Sequence, residues 1–146
     1  MGSIVNQSSH LLLIGGAEDR KGDKLVLKHI VDQTHPTNIV VIPTASAYPQ
    51  DIYRNYADAF SGLGIKLIQC LDIRYRDEAD LEQNLEAIEN ADLIYFGGGD
   101  QVKLVDTLKR TAFFNRMRAR FEAGDLHIAG TSAGAAAAGN PILYNG

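Results

Sequence analysis

A chain of 146 residues, 45% apolar and 22% charged, has the size and balance of one globular domain with a single substantial core. A net charge of −4 without any long basic run argues against nucleic acid as a partner. The lone cysteine, Cys70, excludes an internal disulfide. No stretch approaches the ~20 apolar residues of a membrane span.

The opening residues lack the basic-then-apolar pattern of a secretory signal, which leaves the cytoplasm as the default location. A first strand is expected at 10–14, His10-Leu11-Leu12-Leu13-Ile14, whose continuous apolar run suits a parallel sheet buried on both faces. It stops at Gly15-Gly16-Ala17-Glu18-Asp19. Leu27, Ile30 and Val31 then recur at helical spacing, predicting a helix over 24–33. Asn38-Ile39-Val40-Val41-Ile42 reads as a second buried strand, closed by Pro43 and the small polar loop Thr44-Ala45-Ser46. Tyr53, Tyr56, Ala57 and Phe60 mark one face of the next helix, which ends at Gly62.

A third strand is expected over 65–71, where Cys70 sits in an apolar run and reads as a buried structural thiol. Leu81, Leu85 and Ile88 predict another amphipathic helix, and 91–96 a fourth strand running into Gly97-Gly98-Gly99-Asp100-Gln101. Helical spacing returns at Val105 and Leu108, and again at Phe114, Met117 and Phe121. A fifth strand follows from Leu126. Alternating strands and helices with short links imply an α/β fold, a mostly parallel sheet with helices on both faces. Such sheets bind ligands outside the C-terminal ends of their strands, so the three small-residue loops should converge on one crevice.

After the fifth strand comes Gly130-Thr131-Ser132-Ala133-Gly134, which fits G-x-S-x-G and is followed by the helix-forming run Ala135-Ala136-Ala137-Ala138. A strand that turns straight into a helix strains its central residue and leaves room only for small neighbours. In such a nucleophile elbow the Ser132 hydroxyl would stand clear of the sheet, with the Ala133 N–H free to meet a developing oxyanion. The competing reading is a tight turn that only packs or holds a phosphate.

Gly97-Gly98-Gly99 would let backbone approach whatever lies above the serine and donate the second oxyanion N–H; the competing reading is a phosphate-binding or simple tight turn. The spacing does not match G-x-G-x-x-G, and no acid follows the second strand, so a dinucleotide site is disfavoured and no cofactor or metal is implied. Asp100 reads equally as a helix cap or a substrate contact, whereas Gln101 has no evident structural duty and is the better binding candidate. Glu18 and Asp19 read equally as first-turn acids or as contacts to a cationic substrate group.

A serine nucleophile needs a base, usually a histidine held by a carboxylate. His127 lies five residues before Ser132 on the same strand, roughly 16 Å away at about 3.3 Å per residue. His10 opens the first strand at the same N-terminal edge, His29 lies within the first helix, and His35 leads towards the second strand. No His, Asp or Glu follows Ser132. The closing Pro141-Ile142-Leu143-Tyr144-Asn145-Gly146 reads as the lead-in to a further strand or hairpin. Residues 1–146 are therefore expected to be a single α/β domain, the N-terminal part of a longer catalytic domain. A binding module that holds a peptide or phosphate without cleaving it is the rival reading.

Three motifs together, Ile14-Gly15-Gly16-Ala17-Glu18-Asp19, Phe96-Gly97-Gly98-Gly99-Asp100-Gln101 and Gly130-Thr131-Ser132-Ala133-Gly134-Ala135, resemble the cyanophycinase branch of the serine peptidases. These share the flavodoxin-like fold of class I glutamine amidotransferases. Asp100-Gln101 and Thr131 favour that branch over the related aspartyl dipeptidases and peptide-antibiotic immunity hydrolases. The resemblance implies hydrolysis of cyanophycin, poly-aspartate bearing arginine on its β-carboxylates, to β-Asp-Arg dipeptides. It also implies Ser132 as nucleophile, Ala133 with Gly98 or Gly99 as oxyanion hole, and Gln101 close to the substrate, with homodimers common in the family.

Overall fold

The computed structural model of this chain describes residues 9–14 and 25–131. Five strands, β1 (Leu11–Ile14), β2 (Asn38–Ile42), β3 (Leu67–Cys70), β4 (Leu93–Phe96) and β5 (His127–Thr131), form one sheet. Every pairing is parallel, and the spatial order is β1-β5-β4-β2-β3. Between them run α1 (Leu25–Thr34), α2 (Pro49–Gly62), α3 (Arg76–Ala79), α4 (Glu82–Asn90), α5 (Gln101–Leu108) and α6 (Ala112–Glu122).

The strand period of two sorts the core into two layers. Ile39, Val41, Leu93, Tyr95 and Ala129 face Leu27 and Ile30 of α1 and Tyr56, Ala59 and Phe60 of α2. Their alternates Val40, Ile42, Ile94, Phe96 and Ile128 face Ala79 of α3, Ile88 of α4, Leu104 and Leu108 of α5, and Phe113, Phe114 and Met117 of α6. Helices thus cover both faces, as the strand–helix alternation requires.

Local chemistry sets the element ends. Pro49 opens α2, where a missing N–H costs nothing. Gly64, at φ +94°, closes it while its N–H donates to the Ser61 carbonyl. The Thr111 hydroxyl caps α6 by accepting from Phe114 N–H at 3.0 Å.

At the N-terminal edge of the sheet, Asp92 accepts from the Thr37 N–H and hydroxyl and from the Asn38 N–H. Burial pushes its carboxyl up, but those hydrogen bonds and the nearby Arg120 prevail and hold it below its usual value. The Arg120 guanidinium ties the end of α4 to the turn before β5, donating to the Ile88, Ala91 and Asp125 carbonyls.

Two expectations need correction, and one helix was not anticipated. The third strand is shorter than 65–71, and its exposed and half-buried residues alternate, since among the described residues it pairs with β2 alone. For the same reason Cys70 is half-buried rather than buried, although desolvation and the neighbouring Asp72 still push its thiol up to about 11. The short helix α3 had no apolar period to announce it. It is held by Glu78, whose carboxylate accepts from the N–H groups of Arg74 and Tyr75.

Candidate functional site

Four strands end side by side. The register sets Ile14 beside Thr131, Phe96 beside Gly130, and Ile42 beside Phe96. The described loops that follow β2 and β4 are therefore neighbours at the C-terminal edge, where a parallel sheet opens to ligands. Gly130 is buried between β1 and β4, paired with Leu13 on one side and Phe96 on the other, so the strand leading into Ser132 is fixed on both flanks. The structure places Thr131 as the last residue of β5. Ser132, Ala133 and Glu18 lie outside the described residues, as does the Gly15-to-Asp19 loop.

The glycine loop after β4 is fully described. Gly97 N–H donates to the Ile42 carbonyl at 3.0 Å, extending the ladder by one step. Gly99 has φ +142°, and a Cβ built there would lie 2.1 Å from the Ala45 carbonyl oxygen. Asp100 N–H donates to that same oxygen at 2.7 Å. The loop after β4 therefore rests on the loop after β2, and only glycine fits at the contact. Among the described residues neither Gly98 N–H nor Gly99 N–H donates to a backbone carbonyl. Gly98 is half-exposed and Gly99 exposed, both beside the end of β5.

The Asp100 side chain accepts from the N–H groups of Val102 (2.9 Å) and Lys103 (3.3 Å), so of its two readings the helix cap is the one observed. Gln101 begins α5 half-buried, and its amide makes no hydrogen bond among the described residues. What the sequence reading missed is Ala45. Its signal was the small-residue run Thr44-Ala45-Ser46, whose compactness lets the glycine loop come close. Thr44 is fixed there by donating its hydroxyl proton to the Ile73 carbonyl at 2.8 Å.

None of the four histidines reaches this edge. His127 begins β5 at the opposite end, with its Nδ1 accepting from His10 N–H at 2.9 Å and the two rings stacked at 5.2 Å. Burial and the adjacent His10 lower its pKa. His29 is exposed on α1, and His35 follows that helix on the way to β2. Among the described residues no three His, Cys, Asp or Glu side chains come together as a metal site would need. No described helix is long and apolar enough to cross a membrane.

Comparison with known proteins agrees with this geometry. The family model described as "Peptidase family S51" matches residues 11–146. A cyanophycinase of Geminocystis herdmanii is 36% identical over 140 residues, covering 94% of this chain and 52% of the relative. A cyanophycinase of Trichormus variabilis is 33% identical over 138 residues, covering 93% and 46%. The crystal structure of a peptidase from an acI-B1 Actinobacterium superposes with a TM-score of 0.73 at 25% identity, covering 88% of this chain and 56% of that one. The chain spans about half the length of the curated relatives it matches.

Proposed function

This chain belongs to peptidase family S51, and on that premise we propose that it carries the nucleophile and oxyanion hole of a serine-type exopeptidase acting on cyanophycin. The observation that carries the proposal is the pairing of Phe96 with Gly130, which sets the glycine loop beside the strand that leads into Ser132.

In the proposed reaction the Ser132 hydroxyl attacks the carbonyl of an aspartyl peptide bond and passes its proton to a base. The carbonyl oxygen gains the negative charge, and the Ala133 N–H with that of Gly98 or Gly99 share it. Each such donor contributes about 3–4 kcal/mol to the transition state. Collapse expels the amine, which takes the proton from the base, and water then releases β-Asp-Arg from the acyl-serine. Gln101, at the start of α5 beside the loop, would hold the substrate backbone, and Thr131 and Glu18 are proposed as further substrate contacts. Asp100 acts through the loop, by fixing the start of α5.

The base is supplied by residues other than the four histidines of this sequence, because those stand at the far edge or on the outer surface. Residues 1–146 are accordingly proposed as one part of a larger catalytic domain, in keeping with relatives about twice as long. A homodimer working in the cytoplasm completes the reading. The distance of the histidines also favours a second reading, a module that retains β-aspartyl peptide without cleaving it.

The test is Ser132→Ala in the full-length enzyme. Dipeptide release from cyanophycin is expected to fall at least ~10⁴-fold, with circular dichroism unchanged. Undiminished release would place the nucleophile elsewhere. A parent enzyme that binds the polymer and releases nothing would establish the second reading.

A further inference from the structure

Among the described residues, every Phe and Tyr side chain is buried or half-buried except two, Tyr48 and Tyr75, which are 73% and 71% exposed. Both lie at the C-terminal edge of the sheet, Tyr48 in the loop after β2 and Tyr75 in the loop after β3. Tyr48 stands at the start of α2 and Tyr75 at the start of α3, helices that cover opposite faces of the sheet.

Their backbones are pinned while their side chains are largely exposed. Tyr48 N–H donates to the Ser46 hydroxyl at 2.9 Å, and Tyr75 N–H donates to the Glu78 carboxylate at 2.9 Å. The Arg74 guanidinium donates to the Ser46 carbonyl at 3.4 Å and pairs with Asp72 at 2.6 Å, which ties the loop after β3 to the loop after β2. Ser46 adjoins Ala45, the residue on which the glycine loop rests. The rim is thus continuous with the proposed crevice through direct contacts.

We propose that Tyr48 and Tyr75 form a distal subsite that stacks the guanidinium groups of uncleaved units of the polymer. This rests on the cyanophycinase reading above. Exposed tyrosine faces attract a guanidinium electrostatically and by stacking, whereas a carboxylate gains nothing from them. The spacing suits a polymer. At about 4.8 Å between strands, β2 and β3 lie roughly 10 and 14 Å from β5. An extended backbone at about 3.5 Å per residue covers that in three to four units. The rings therefore engage long substrate and leave short substrate untouched.

The experiment compares kcat/KM for cyanophycin with kcat/KM for a two-unit β-Asp-Arg peptide, in the full-length enzyme and in Tyr48→Ala/Tyr75→Ala and Tyr48→Phe/Tyr75→Phe variants. The polymer-to-peptide ratio is expected to fall about 5- to 30-fold in the alanine variant and to stay near the parent's in the phenylalanine variant, which keeps the rings. An unchanged ratio in the alanine variant would overturn the subsite. So would an equal loss on both substrates, or a lowered melting temperature with the ratio intact, since the rings would then serve packing. A parent inert towards both substrates would remove the peptidase reading and the subsite with it.

Discussion

The Ala45 carbonyl oxygen occupies the space that a side chain on Gly99 would need, 2.1 Å from where a Cβ would stand. The same oxygen accepts from Asp100 N–H, so one backbone atom sets both the shape of the glycine loop and the start of α5. The loops after β4 and β2 are thereby locked together above adjacent strands.

Gly99→Ala should be costly on two counts, a φ of +142° that L-residues avoid and a collision with backbone that cannot rotate away. A loss of about 2–5 kcal/mol in urea unfolding is expected, together with reduced turnover. Gly64→Ala is the control. It also has a positive φ, +94°, but no atom lies within 4 Å of the new Cβ, so strain alone should cost about 1–2 kcal/mol. Equal losses at the two positions would show that the contact with Ala45 is unimportant.

Asp100 and Gln101 are adjacent but should separate cleanly. Asp100→Ala removes the cap of α5 and should lower stability by about 1 kcal/mol, while Asp100→Asn, which keeps an acceptor, should lose little. Gln101→Ala should leave unfolding within about 0.5 kcal/mol of the parent but raise KM for the polymer about 5- to 10-fold through one lost hydrogen bond. A large stability loss at Gln101 with no kinetic change would assign it to the scaffold.

Acid should weaken the fold in two steps, both at the N-terminal edge of the sheet. Burial and His10 keep the His127 pKa below its ordinary 6.5, and its Nδ1 is engaged in accepting from His10 N–H, while Asp92 opposes them. The unfolded chain takes up that proton near 6.5 and the native protein resists it, so stability falls as pH drops from 6.5 through the native value. Asp92 acts lower. Its native pKa lies below 3.8, so its contribution is present above 3.8 and is lost as pH falls through the native value. Urea midpoints at pH 7.5 and 5.5 should show a decline that His127→Gln flattens. An equally steep decline in the variant would place the titrating group elsewhere.

The parts of the sequence that bear on the described edge of the candidate site are local. The glycine run after β4 announced a tight loop, and the position of His127 at the start of its strand already put that histidine at the far end of the sheet. Asp100 was different. A carboxylate before a helix serves equally as cap or as contact until the positions of the Val102 and Lys103 N–H groups are known.

Period, turn residues and short links act over a few residues at a time, which is why the five strands, every described helix except α3 and their parallel pairing could be read along the chain. Long-range packing set β5 between β1 and β4, left β3 paired among the described residues with β2 alone and Cys70 half-buried, and made Gly99 answer to Ala45. Each of those depends on partners 29 to 117 positions apart, and contacts at that range are set by how the layers pack, which no local pattern encodes.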